Sequence, residues 1–482
     1  MSHIEFSSRQ RAEVVVIGSG PGGSTTGYLL AEHGKDVLLL EEGRDLPMGS
    51  CRSFGIEEMA QKYRAGGLSP TLGNSKVAFV EGCTVGGGSE INAGLYHRTP
   101  PELLERWRTE FKVRDSMASD LLPHFEYCEQ ALDVGKYPES VPLASRKLEE
   151  GARNCGLSPQ EIPRWFKFDG TTGPDGCPRG TRQSMTRTFL PRARKAGARL
   201  MAETRVHQLQ RSGSGWTVLA SVKGQRVEIQ ADQVFICAGA LQTPLLLRRS
   251  GITKNIGNSL ALHPMVKVAA LFDEELNHEA LGIGVHQVKE PSQQIGYGCS
   301  ISTLPFLGLL MSIYDGHEGE VKSRWRHMAA YYCMITGPHT GTVRPVFGLS
   351  DPLIRYHLSA ADLRDLASAT RRLTRMLLAA GARTVYPSIV GARPITGEDQ
   401  LSTIPGALPP AGANLTSVHV FSSCPMGEDQ EHCATNSMGK VHGTTNLFIN
   451  DASLIPTAPG VNPQGTVMAL ARRNTLHSLG QL

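Results

Sequence analysis

Apolar residues first cluster into a pattern at Glu13-Val14-Val15-Val16-Ile17, an unbroken run that predicts a strand buried on both faces. Ser24 to His33 follows with Leu29, Leu30 and Ala31 on one side, predicting a helix that Gly34 ends. Asp36-Val37-Leu38-Leu39-Leu40 predicts a second buried strand, closing at Glu41-Glu42-Gly43. Strand, helix and strand within about thirty residues form the unit from which parallel sheets are built.

From Gly43 to Arg98 the chain is glycine-rich and aperiodic, and residues 101–134 then read as helical. Residues 135–190 are rich in Pro and Gly and predict a connection or lid. An α/β pattern returns over 192–240. It runs from a helix to Ala198–Met201, hairpin segments around Trp216-Thr217-Val218-Leu219, and a strand at Gln233–Gly239. Residues 260–415 alternate strand-like stretches such as Val266–Leu271 with an amphipathic helix over 360–381. The last seventy residues predict a strand at Asn446–Asn450 and a helix from Gly465 to Leu479. The expected fold class is α/β (α+β), a Rossmann-like dinucleotide-binding domain with an inserted domain on an antiparallel sheet. The expected division is 1–125, 190–260 and 415–482 for the dinucleotide domain, 126–189 for the connection or lid, and 261–414 for the substrate domain.

With 482 residues, two cores are expected. A net charge of +4 on that length, with no basic stripe, gives no footprint for nucleic acid. No stretch approaches the ~20 consecutive apolar residues of a membrane span. The N-terminus lacks the charged-then-apolar order of a secretory signal, and the ten cysteines form no framework. The expectation is a cytoplasmic protein with free thiols. Cys424…His432-Cys433 matches no zinc spacing, so no metal is expected.

The first strand runs into Gly18-Ser19-Gly20-Pro21-Gly22-Gly23, a G-x-G-x-x-G loop opening a helix. Gly18 allows the tight turn, Gly20 a close approach to a pyrophosphate, and Gly23 close helix–strand packing. The helix N-terminus offers free N–H groups to the anion. Glu41, at the end of the second strand, suits ribose hydroxyls and disfavours a 2′-phosphate. The loop by itself does not separate FAD from NAD.

The chain resembles the glucose–methanol–choline (GMC) oxidoreductase family in five ordered blocks. These are the loop with Glu41; Gly82-Cys83-Thr84-Val85-Gly86-Gly87-Gly88-Ser89-Glu90-Ile91-Asn92-Ala93-Gly94; Ala238 through Ile252; Leu260-Ala261-Leu262-His263-Pro264; and His419 through Asp451-Ala452-Ser453 to Asn462-Pro463. The resemblance implies FAD. It implies that Gly86, Gly87, Ser89 and Asn92 lie along the flavin and its pyrophosphate, and that the Val206 backbone brackets the adenine. It also implies that Ala238 belongs to the cofactor site, that Asp451 and Ala452 hold the ribityl and phosphate region, and that Asn462, Pro463 and Thr466 lie over the pyrimidine edge. Ile91 stands where some members carry the histidine that attaches FAD covalently, so the FAD is expected to be non-covalent.

Oxidising an alcohol removes a hydride, which a flavin accepts, and a proton, which the protein must accept. Histidine, with an ordinary pKa near ~6.5, offers a neutral base at neutral pH, and an Asn amide offers a fixed donor to the developing alkoxide. By the resemblance, His419 is the base and Asn462 its partner. His263, ahead of Pro264, is expected to be structural, His97 and His442 lack supporting context, and Cys424 is expected to be a packed thiol. The expected activity is oxidation of a CH–OH donor, with O2 or another electron acceptor. A hydroxyl on a sugar-like or aminoglycoside natural product is the favoured substrate. A sterol or long-chain alcohol is the alternative, and Phe306–Met311 is an apolar stretch for it to meet. An FAD-containing lyase and a non-enzymatic flavin binder are the competing classes.

Overall fold

The computed structural model describes residues 9–173, 176–278, 283–290, 294–337 and 341–482. Two sheets organise them. The first has seven strands, in the order Thr204–Ser212, Gly215–Val222, Gln225–Ile236, Arg9–Ile17, Val37–Leu40 and Arg199–Met201, with Leu447–Ile449 pairing beside Gln225–Ile236. Around Arg9–Ile17 the pairing is parallel, with Val14 opposite Val37 on one side and Gln233 on the other. The predicted parallel α/β unit is therefore present. Both faces of the sheet are covered. Val15, Ile17, Leu38 and Leu40 enter one core, and Val14, Val16, Val37 and Leu39 enter the other. This explains why these strands read as continuous apolar runs instead of alternating.

The first helix spans Pro21–Glu32, three residues ahead of the predicted start. Pro at the first helical position has no N–H to lose, so the glycine loop passes straight into the first turn. Residues 101–134 form two helices, Pro101–Glu110 and Ala118–Ala131. Lys112 and Asp115, with φ of 56° and 47°, turn the chain between them.

The second sheet has nine strands. Its path is Ser69–Pro70, Val77–Phe79, Leu415–Ser417, Met265–Leu271, Met328–Ile335, Ile295–Cys299, His286–Glu290 and Pro159–Glu161, with Thr384–Pro387 also pairing to Met265–Leu271. Its pairs are antiparallel except Leu415–Ser417 with Val77–Phe79. Val266, Val268 and Ala270 point to one face, into a core shared with the long helix Ala360–Ala379. Ser359 caps that helix, its Oγ accepting from the Asp362 N–H at 3.1 Å. Segment 126–189, read as a connection, contributes the helix Leu143–Asn154 to this core and Pro159–Glu161 to the sheet edge. Residues 69–79, in the stretch read as aperiodic, supply two more strands. No helix among the described residues is long and apolar enough to cross a membrane.

Candidate active site

A cavity of about 460 Å³ lies between the two sheets, from the glycine loop at one end to His419 and Asn462 at the other. At the loop end, Gly18 has φ +99°, a left-handed conformation that favours glycine. A Cβ there would also meet Cys237 O at 2.3 Å. A Cβ on Gly22 would lie 1.8 Å from Asn450 O, and one on Gly23 1.9 Å from Gly18 O. These three positions close the protein on itself. Gly20 differs: a Cβ there would meet nothing nearer than Gly87 Cα at 4.0 Å. Its missing side chain leaves open space in the cavity wall, as a close backbone approach to a phosphate requires.

Ser19 ties this loop to its surroundings. Its N–H and Oγ–H donate to Glu41 Oε2 at 2.9 and 2.7 Å, and its Oγ accepts from the Gly86 N–H at 3.0 Å. The other oxygen of Glu41 accepts from Gly43 N–H at 2.8 Å. Burial pushes the Glu41 carboxyl above its ordinary range, and these hydrogen bonds oppose the shift.

Of the predicted residues, Gly18, Gly20, Glu41, Gly87, Asn92 and Val206 line the cavity. Ala238, Asp451, Ala452, Asn462, Pro463 and His419 line it as well. Gly23, Gly86, Ser89 and Thr466 do not, and sit behind the wall. Ser89 Oγ donates to Gly86 O at 2.7 Å and accepts from Met185 N–H at 3.0 Å, holding the Gly86 turn. Thr466, in the first turn of the helix Gln464–Ser478, shares a 2.8 Å hydrogen bond with Thr99. Asp451 accepts four hydrogen bonds, from Gly239 N–H, Thr243, and the N–H and hydroxyl of Ser453. It thereby caps both the helix Gly239–Arg249 and the turn at 452–454.

At the other end, His419 is 9% exposed. Its Nε2 lies 3.1 Å from the Asn462 amide nitrogen and its Nδ1 lies 3.0 Å from His263 Nδ1. The structure thus brings the predicted pair together and adds His263, which the sequence reading set apart as structural. Gly460 N–H donates to His263 Nε2 at 3.0 Å. A backbone N–H cannot exchange roles, so neutral His263 carries its proton on Nδ1 and donates it to His419 Nδ1. The Asn462 amide, whose oxygen accepts from Gln287 at 3.4 Å, turns its nitrogen to His419 Nε2 and so favours the opposite tautomer of His419, with the proton on Nδ1. Burial, and then His97, push His419 down to about 3. His97 packs against the amides of Asn462 and Gln287 and is pushed down to about 4, first by burial and then by Lys289. Nothing in the spacing of His97 or His263 announces these contacts; that of His263 follows from strand register, and that of His97 from a loop.

His442 contacts Gly427 O at 3.2 Å and does not line the cavity. Cys424 is fully buried behind the wall, where burial pushes its thiol up.

Comparison with known proteins identifies the family and the fold. GMC oxidoreductase models match residues 59–265 and 343–471, and a NAD(P)-binding Rossmann-like model matches 16–78. A GMC-type oxidoreductase of Sinorhizobium fredii is 37% identical over 475 residues, covering 96% of this chain and 93% of that protein. A long-chain-alcohol oxidase of Arabidopsis thaliana is 27% identical, covering 96% and 67%. The crystal structure of pyridoxine 4-oxidase from Mesorbium loti superposes with a TM-score of 0.75 at 17% identity, covering 97% of this chain and 99% of that one. The chain belongs to the GMC oxidoreductase family and is an FAD-dependent alcohol oxidoreductase.

Proposed function

We propose that this protein oxidises a CH–OH group to a carbonyl, with His419 taking the hydroxyl proton and Asn462 holding the hydroxyl oxygen. The observation that carries this reading is the His419–Asn462 contact of 3.1 Å at the cavity wall. Bound FAD supplies the hydride acceptor. The residues present fit it. Gly20 leaves open space at a helix N-terminus, Glu41 lines the wall, and one cavity joins them to His419. The FAD is held without a covalent bond, since Ile91 offers no nucleophile.

The base role carries a requirement. Nε2 of His419 must be free of its proton to receive another. That form has the His419 proton on Nδ1, donated to His263 Nδ1, and His263 then carries its own proton on Nε2. The 3.0 Å contact from Gly460 N–H opposes that form, and the Asn462 nitrogen facing Nε2 favours it.

For the substrate, the wall between Met265 and His419 supports the apolar alcohol over the aminoglycoside. Ile301, Phe306, Leu309 and Leu310 line it, and the acids elsewhere in the cavity lining, Glu41, Glu42, Glu81 and Asp451, are already taken by arginines or backbone N–H groups. A polycationic aminoglycoside finds no counter-charge there. The identity to a long-chain-alcohol oxidase points the same way. His419→Ala is expected to retain FAD and its yellow colour, yet to show anaerobic flavin bleaching by an alcohol slowed at least about 100-fold. Near-normal bleaching in that variant would overturn the assignment. Bleaching of the wild type by an alcohol also excludes a lyase or a passive flavin binder.

A further inference from the structure

Lys267 stands in the middle of the strand Met265–Leu271, on the face turned to the cavity. Its neighbours on the apolar face, Val266 and Val268, are in the core, and Lys267 alternates with them. Among the described residues, no carboxylate pairs with it. Its one ring contact is Phe306, whose centroid lies 5.9 Å from Nζ. Burial pushes its ammonium down to about 8, so it is still charged at neutral pH. Lys267 is only partly buried and lines the cavity, so an anion that enters can reach its ammonium.

Two hydroxyls beside it are also unpaired. Ser388 Oγ and Thr416 Oγ1 are buried without hydrogen-bond partners, and both residues line the cavity. Sheet geometry gathers all three. Thr416 pairs with Met265, two residues from Lys267 on the same face. Ser388 N–H donates to Lys267 O at 3.1 Å. One cation and two unfilled hydroxyls thus come from three adjacent chain segments, while the acids that line the cavity, Glu41, Glu42, Glu81 and Asp451, lie on other segments and are engaged by other partners.

Taking the alcohol-oxidising reading as its base, we infer that Lys267, Ser388 and Thr416 bind an anionic group, a carboxylate or a phosphate, carried by the alcohol substrate. The substrate is then an amphipathic hydroxy acid. Its hydroxyl lies at His419 and Asn462, its apolar body along Phe306, Leu309 and Leu310, and its acidic end at Lys267. The distance between the two ends is short. Lys267 sits opposite Tyr332, and the Gln287 amide bridges the Tyr332 hydroxyl and the Asn462 amide at 3.0 and 3.4 Å. Along the strand from His263 to Lys267 the span is about 13 Å, at ~3.3 Å per residue. A spacer of several carbons therefore fits between hydroxyl and acid.

The test uses the FAD-loaded enzyme and ω-hydroxy carboxylates of increasing chain length, each against its methyl ester and its phosphate analogue. Anaerobic flavin bleaching gives a rate and an apparent Kd for each. A second arm titrates straight-chain carboxylates, alkyl phosphates and the matching amides, none of them an alcohol, and follows the flavin absorbance shift on binding. The wild type is expected to bind an acid at least about tenfold tighter than its ester or amide. Lys267→Met should bring that preference within about threefold, and Lys267→Arg should retain most of it. Comparing carboxylate with phosphate identifies the group. Equal binding of acid and amide by the wild type, or an acid preference that survives in Lys267→Met, overturns the inference. If no alcohol bleaches the flavin, the oxidation reading fails, and the second arm still decides the anion site.

Discussion

Ile91 presents hydrocarbon alone to the cavity. A covalent link to a flavin needs a nucleophilic side-chain atom, and Ile has none. The adjacent Asn92 is already engaged, its amide donating to Gln464 Oε1 at 2.8 Å and its oxygen accepting from Gly94 N–H at 3.0 Å. Acid precipitation is therefore expected to leave the yellow flavin in the supernatant above a colourless pellet. A yellow pellet would contradict non-covalent binding. At this scale the sequence was informative where chemistry is local. The roles proposed for His419 and Asn462 attach to recognisable short blocks. The partners of His419 were not legible, because His263 is 156 residues away and meets it only once two strands are in register. Lys267 was equally hidden, since one charged residue in an apolar strand looks the same whether it faces solvent or a cavity. Ser89 and Gly86 show the reverse: the glycine-rich block was legible as part of the site, but its division into wall and support was not.

The loop between the first strand and helix separates two demands that one sequence motif blurs. At Gly23, an added methyl would overlap a backbone oxygen that has no room to move, whereas at Gly20 it would enter open space. Gly23→Ala is thus expected to lower Tm by several degrees or prevent folding, at a cost of ~1–3 kcal/mol or more for overpacking. Gly20→Ala should fold with a Tm near wild type and bind FAD at least about tenfold more weakly. Melting curves and quenching of flavin fluorescence by the apoprotein measure the two effects. Equal losses of Tm in both variants would contradict the distinction. The strand–helix–strand unit was legible because both its strands are buried on two faces and its helix has Gly34 to stop it. Strands of two or three residues, such as Ser69–Pro70, Val77–Phe79 and Pro159–Glu161, are too short to show a period. Distant partners specify them.

Over the whole molecule, buried histidines oppose acid. Arg472 donates to His124 Nδ1 at 2.6 Å, and burial, then Arg472 and Arg473, push His124 down from 6.5 to about 4. The unfolded chain takes up this proton as pH falls through 6.5, and the folded chain only near 4. The stability that this group contributes is therefore complete above pH 6.5 and is lost as pH falls toward 4. His97, His263 and His419 shift in the same direction. Glu41 and Asp451, raised by burial, contribute with the opposite sign, so a raw acid profile is a sum. A difference isolates the histidine. The drop in Tm between pH 7.5 and pH 5 should be larger for the wild type than for His124→Gln, whose amide still accepts from Arg472. Equal drops would contradict the assignment.

A separate two-stranded ribbon lies beside His263 and His419. Ala261–Leu262 pairs with Val420–Phe421, and each strand leads directly into the nine-stranded sheet, one through His263 to Met265–Leu271 and the other through His419 to Leu415–Ser417. Ser417 fastens the second crossing, donating to His419 O at 2.7 Å and accepting from its N–H at 3.3 Å. Mechanically these crossings are two rivets set side by side. Any movement of the nine-stranded sheet away from this ribbon would strain the His263–His419 contact. The cavity thus has a floor pinned at two points, with His263 and His419 each held by its own crossing.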